Sequence, residues 1–135
     1  MGHVSSRILL ADNNPALLEA IVEILEREFS VVGMVRNGTA LLSCLLELNP
    51  DLLVLDVSLG DMTGFDVVRE LKATGWRTRI VILTVYETPD FVSVAFELGV
   101  DGFVFKSRIN PDLLDAVRIV SLGGHFIPLP SPMFE

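Results

Sequence analysis

The run Leu52-Leu53-Val54-Leu55-Asp56 is followed by Val57-Ser58-Leu59-Gly60-Asp61-Met62-Thr63-Gly64 and then by a helical pattern that reaches Thr74 and stops at Gly75. Four consecutive apolar residues are too few for a helix and do not alternate with polar ones, which is the pattern of a strand covered on both faces. A carboxylate ends the run, and a loop with two glycines leads into the helix. The stretch therefore reads as one strand, loop and helix unit of a parallel sheet.

Units of the same kind lie on both sides of it. Ile8-Leu9-Leu10-Ala11, Val31-Val32-Gly33-Met34-Val35, Ile80-Val81-Ile82-Leu83 and Phe103-Val104-Phe105 are short apolar runs of strand length. Between them, Asn14-Pro15 opens a first helix, with Pro at the first helical position and Leu17, Leu18, Ile21, Ile24 and Leu25 spaced as a buried stripe. Asn37-Gly38 opens a second, stopped by Asn49-Pro50; Thr88-Pro89 opens the fourth, stopped by Gly99; Asn110-Pro111 opens the fifth, stopped by Gly123-Gly124. Five strands and five helices in strict alternation, joined by right-handed crossovers, predict a flavodoxin-like, doubly wound α/β fold of (βα)5 type. The expected strand order is 2-1-3-4-5, which sets the first and third strands side by side where the order reverses. Ligands of such folds bind there, outside the carboxyl ends of the strands.

Composition sets the outer bounds. The chain has 135 residues, 18 acidic against 10 basic, for a formal charge of −8, and half of its residues are apolar. That suits one compact domain, and the acidic balance opposes nucleic-acid binding by the chain itself. No apolar run approaches the roughly 20 residues that cross a bilayer. One cysteine, Cys44, excludes a disulfide framework, and the start Met1-Gly2-His3-Val4-Ser5-Ser6-Arg7 lacks the apolar core of a signal peptide, so a cytoplasmic location is expected. Residues 1–6 are expected to be a tail, 7–122 the domain, and the Pro/Gly-rich 123–135 a linker or tail. Cys44, Trp76, His3 and His125 read as packing or surface residues.

Each strand ends in a polar residue: Asp12-Asn13 after the first, Asp56 at the third, Thr84 at the fourth and Lys106 after the fifth. The fold gathers them on one edge of one sheet. Asp56, at the centre, can act as a nucleophile toward a phosphoryl group and form an acyl phosphate. Asp12, Asp56 and a backbone carbonyl just after Asp56 can hold Mg2+, a hard cation that takes oxygen ligands. Lys106 can neutralise the transferring oxygens, and Thr84 can hydrogen-bond a phosphoryl oxygen.

These residues, the segment Leu55–Gly64, Ile82-Leu83-Thr84-Val85-Tyr86 and Gly99–Lys106 resemble the receiver domain of two-component response regulators, over about Arg7 to Leu122. The resemblance implies phosphoryl transfer from a histidine kinase or phosphotransfer protein to Asp56, a requirement for Mg2+ held by Asp12, Asn13, Asp56 and Ser58, and a switch in which Thr84 moves with the aromatic residue Phe103. Leu83–Tyr86 and the Gly-Gly-aromatic-Ile-Pro ending are similar to the NarL/FixJ subfamily. Its members usually continue into a helix-turn-helix domain, so DNA contact is expected only through a domain outside this chain. A homodimer is possible through the first and fifth helices, or through any apolar residues that the fourth and fifth helices leave exposed. No membrane partner is expected.

Three positions depart from the family pattern. Asn13 stands where a second acid is usual, which predicts weakened Mg2+ binding; Asp61 is available to compensate the charge. Gly60 stands where Pro is usual and gives a permissive turn. Phe103 lacks the hydroxyl of the Tyr often found there, so any switch relies on ring packing. The competing function is an atypical receiver that acts as a phosphorylation-independent dimerisation or interaction module, with Asn13 in its favour. Aspartyl-phosphate phosphatases of the haloacid-dehalogenase type need a second Asp where Ser58 stands, and no glycine-rich nucleotide loop follows the first strand.

Overall fold

The computed structural model describes residues 6–128; His3, most of the expected amino-terminal tail and residues 129–135 lie outside them. The elements alternate as expected: β1 (Arg7–Ala11), α1 (Pro15–Leu25), β2 (Ser30–Val35), α2 (Gly38–Leu48), β3 (Leu52–Asp56), α3 (Gly64–Ala73), β4 (Arg79–Thr84), α4 (Pro89–Leu98), β5 (Gly102–Phe105), a 3₁₀ turn (Lys106–Arg108) and α5 (Ile109–Ser121). The strands form one parallel sheet in the order β2-β1-β3-β4-β5.

The continuous apolar runs are explained by two cores. Leu9, Leu53, Leu55, Ile80, Ile82, Phe103 and Phe105 point to one face, where they pack with Leu41 and Leu45 of α2, Val67, Val68 and Leu71 of α3, and Ala95 of α4. Ile8, Leu10, Leu52, Val54, Val81, Leu83 and Val104 point to the other, against Leu18, Ile21 and Leu25 of α1 and Leu113, Val117 and Val120 of α5. A strand buried on both sides has no position left for polar alternation. Cys44 and Trp76 are half-buried against the first core, and His125 is exposed.

Local chemistry sets the helix starts. Asn14 Oδ1 accepts from the amides of Ala16 and Leu17 with Pro15 at the first position, Asn37 Oδ1 accepts from Ala40 N, and Thr63 with Asp66 forms a capping box at α3. The fifth helix departs from the expected start at Asn110-Pro111: β5 runs straight into the 3₁₀ turn and α5 begins at Ile109, which places Pro111 at its third position. Proline is tolerated there because the first four helical amides have no partner inside the helix. Beyond α5 the chain lies along the open edge of β5, with Phe126 N donating to Asp101 O and Phe103 N donating to Phe126 O, both at 3.1 Å.

Candidate functional site

Parallel pairing sets the depth of each polar residue at the carboxyl edge. Asp56 is opposite Leu83 on β4, so Thr84 lies one step farther out, and Thr84 is itself opposite Phe105, the residue before Lys106. Asp12 follows the last residue of β1 and is held by its own amide, which donates to Val35 O at 3.1 Å. Asp12, Asp56 and Thr84 are all buried.

Lys106 joins the two carboxylates. Its ammonium lies 2.9 Å from Asp12 Oδ2 and 3.2 Å from Asp56 Oδ2. The other oxygens take backbone amides: Asp12 Oδ1 accepts from Asn14 N at 2.9 Å and Asp56 Oδ1 from Ser58 N at 3.3 Å. Asp12 Oδ2 is buried and receives no hydrogen bond, so its contact with Lys106 is one of charge rather than an aligned bond. Burial, followed by the neighbouring Asp12 charge, pushes the Asp56 carboxyl above its ordinary pKa, and Lys106 only partly offsets this. For Lys106 burial acts to lower the pKa, yet the two carboxylates outweigh it and the ammonium is held above its usual range.

An under-bonded carboxylate oxygen beside a second carboxylate fits a hard divalent cation. Asn13 and Ser58, each next to one of these acids or two residues from it in the chain, are both exposed. Thr84 Oγ1 accepts from Tyr86 N at 3.1 Å, which leaves its own hydrogen for another acceptor. Phe103 is fully buried, edge-on to Phe105 with ring centroids 5.9 Å apart.

Two features of this edge escape a reading of the sequence. Tyr86 stacks on Phe91 at 4.8 Å, and Phe91 packs on Phe65 at 5.5 Å, forming an aromatic ridge from β4 to the starts of α4 and α3. Tyr86 and Phe91 stand two and seven residues after the end of β4 and Phe65 nine after the end of β3, so only Tyr86 carried a signal in the sequence. The Asp61 carboxylate is bonded to the start of α2, accepting from Gly38 N and Thr39 N at 2.7 and 3.0 Å. The helix amides draw it there, because an anion is favoured at a helix start.

A half-open cleft of about 550 Å3 lies at the opposite edge, lined by Asn49, Asp51, Arg77, Arg79 and Ser121 among others. The carbonyl ends of α2 and α5 border it, and the Arg79 guanidinium donates to those of α5.

Comparison with known proteins places the chain. Residues 8–118 match the model of the response regulator receiver domain. The chain is 30% identical over 119 residues to the nitrate/nitrite response regulator protein homolog of Haemophilus influenzae, a match that covers 87% of this chain and 57% of that protein. The chain thus spans a little over half the length of that relative. Among solved structures, it is similar to the isolated REC domain of RcsB from Salmonella enterica serovar Typhimurium in the presence of phosphomimetic BeF3−, at a TM-score of 0.86 and 29% identity over 92% of this chain and 94% of that one. It is equally similar to a two-component response regulator of the LuxR family from Aurantimonas sp. SI85-9A1, at a TM-score of 0.86 and 27% identity over 91% of this chain and 89% of that one.

Proposed function

The chain belongs to the response regulator receiver domain family, and from that premise we propose that it accepts a phosphoryl group on Asp56 from a histidine kinase or phosphotransfer protein and signals through the resulting change at its carboxyl edge. The observation that supports this reading is the buried Asp12–Lys106–Asp56 cluster, in which one ammonium serves two carboxylates.

Asp56 is the nucleophile. One of its oxygens forms the new O–P bond as the N–P bond of the donor phosphohistidine breaks, and the bonding pair stays on the imidazole nitrogen. A carboxylate of raised basicity is the better nucleophile. Lys106 is placed to follow the charge as it moves from the Asp56 carboxylate to the phosphoryl oxygens. The free hydrogen of the Thr84 hydroxyl can then be donated to one of those oxygens, an adjustment that draws on the Tyr86 amide it now accepts from. Phe103 lies in the core below, so its part in the switch is a repacking of rings against Phe105. Asp12, Asp56, the Asn13 amide oxygen and the Ser58 carbonyl would hold Mg2+, whose two positive charges neutralise the phosphoryl oxygens when it is bound.

Residues 7–122 carry the alternating elements of the receiver, the stretch to Phe126 stays docked on the edge of β5, and the signal is read as passing to an output domain outside this chain. Transcription control through that domain, by contact with DNA, fits the response regulator relatives and the acidic charge of the receiver itself. No helix among the described residues is long and apolar enough to cross a membrane.

Intact-mass measurement after incubation with Mg2+ and a small phosphodonor tests the reading. The expected result is an adduct of one phosphoryl group that disappears in Asp56→Ala. Absence of any adduct at every Mg2+ concentration overturns it in favour of a phosphorylation-independent interaction module, the reading that Asn13 favours.

A further inference from the structure

Gly60 takes φ +93°, a setting closed to proline and open to glycine. Past it the chain reaches α2, where Asp61 makes three hydrogen bonds: Oδ1 accepts from Gly38 N at 2.7 Å, and Oδ2 accepts from Thr39 N at 3.0 Å and from the Thr39 hydroxyl at 2.9 Å. Met62 follows onto the same spot, and its Cγ and Sδ occupy the space that a side chain at Gly38 would need. The helix amides hold the Asp61 carboxyl below the usual carboxylate range.

The other end of this loop is joined to the site. Ser58 and Thr63 pair as an antiparallel bridge, and Gly64 N donates to Val57 O at 2.6 Å. Ser58 N donates to Asp56 Oδ1. A Cβ at Gly64 would stand 2.6 Å from the Asp56 carbonyl oxygen, so the start of α3 is seated directly on the Asp56 backbone. The loop is thus closed at its foot and tied at its tip, while Ser58, Gly60 and Asp61 themselves are exposed. Asn37 caps α2 locally through Ala40 N at 2.8 Å, whereas Asp61 reaches the Gly38 and Thr39 amides from 23 and 22 positions away, so its bonds tie the loop to the helix as well as capping it.

We propose that Asp61 is a positioning residue: its bonds to Gly38 and Thr39 hold the 57–63 loop, and with it the Ser58 amide and carbonyl, in place beside Asp56. In its effect on the reaction this rests on the phosphoryl-acceptor reading above. The tether restores to the loop the stiffness that Gly60 removes.

Asp61→Ala, Asp61→Asn and Asn37→Ala separate positioning from capping, because the last removes a cap of the same helix and leaves the loop untouched. Amide hydrogen exchange without metal, Mg2+ titration and phosphoryl uptake from a small donor are measured on each. Asp61→Ala is expected to speed exchange at Ser58 and Gly64 by about tenfold, as loss of two or three modest hydrogen bonds implies. The same variant should weaken Mg2+ binding and slow uptake by about threefold or more; Asp61→Asn, which keeps one acceptor oxygen, should fall between it and the wild type. Asn37→Ala should speed exchange within α2 and leave both site measurements unchanged. Loop exchange in Asp61→Ala no faster than in Asn37→Ala overturns the proposal. So does equal loss of Mg2+ affinity in the two variants. If the wild type takes up no phosphoryl group, the functional reading fails, while the exchange contrast still decides the role of Asp61.

Discussion

At the amino edge of the sheet, Arg7 and Arg79 open strands β1 and β4, and each turns its guanidinium onto a helix end. Arg7 donates to Leu48 O and Asn49 O at the end of α2, at 2.7 and 3.1 Å, and Arg79 to Val120 O and Ser121 O at the end of α5, at 2.8 and 2.9 Å. The acids there serve backbone amides: Asp51 accepts from Arg7 N and Asp101 from Ile80 N. At the carboxyl edge one ammonium is shared between two buried carboxylates, and an oxygen of Asp12 has no hydrogen bond. Charges at the first edge complete the bonding of helices. Those at the second are incompletely matched, which is the condition for a group that must take up a ligand or a phosphoryl group. One edge is bonded through to its helix ends, and the other keeps unused bonding capacity at Asp12.

The contrast breaks first if the arginines prove dispensable. Arg79→Met removes two charge-assisted hydrogen bonds and a cation at a helix end, roughly 2 kcal/mol for an exposed residue with one part-buried bond. For a domain of this length that corresponds to a fall in Tm of about 7 °C. Thermal unfolding checks it, and phosphoryl uptake by the folded fraction should stay at the wild-type level. A melting temperature unchanged by the substitution would remove the stabilising role assigned to this edge.

At the carboxyl edge the sign reverses. Asp56 has its carboxyl pushed up by burial and by Asp12, so the folded protein holds that proton more tightly than the unfolded chain does. Stability is therefore lost as pH rises from the ordinary carboxylate range through the raised pKa, and the penalty is full above it. Asp56→Asn removes the penalty while Lys106 keeps Asp12 as partner. The variant should be more stable than wild type at neutral pH by on the order of 1 kcal/mol, since a unit like-charge contact of ~1–4 kcal/mol is largely offset by Lys106. The gap should close as pH falls below the ordinary carboxylate range. Denaturant unfolding at neutral and acid pH measures it; a destabilised variant at neutral pH would mean that the carboxylate is structural.

How much of this was legible in the sequence follows the range of the interactions. Strands β1, β3, β4 and β5 show as apolar runs because both faces of the sheet are covered there, while β2 at the edge is partly exposed; the helices opened by Asn14-Pro15, Asn37-Gly38 and Thr88-Pro89 start where those signals stand. Asp12, Asp56, Thr84 and Lys106 could be assigned to one edge because strand ends in a parallel sheet share it. The fifth helix starts ahead of Asn110-Pro111 because a 3₁₀ turn replaces the loop, and nothing local announces that turn. Partners distant in the chain were invisible: Arg79 reaches residues 41 and 42 positions away, and Asp61 reaches back 22 and 23 positions to α2. Residue type places a charge at an edge, but which neighbour takes it depends on side-chain directions that only the packed structure supplies.

The smallest effect on stability expected at the carboxyl edge sharpens the comparison most, because it concerns a charge that is missing. Asn13 is exposed beside a cluster whose two carboxylates and one ammonium leave a net charge of −1. Asn13→Asp makes it −2. Without metal the added carboxylate meets Asp12 and Asp56 at a solvent-exposed position, so stability should drop by a few tenths of a kcal/mol, roughly the size of surface charge effects. That drop should shrink at high salt, as exposed charges are screened within about 10 Å at 0.1 M. Toward Mg2+ the sign is opposite: an anionic ligand replaces a neutral amide oxygen, and the dissociation constant measured by titration should fall by about tenfold, equivalent to about 1.4 kcal/mol. The two shifts must appear together, because one added charge causes both. Equal Mg2+ affinity in the two proteins would remove Asn13 from the donor set, and a variant more stable than wild type without metal would show that the edge has no excess of negative charge.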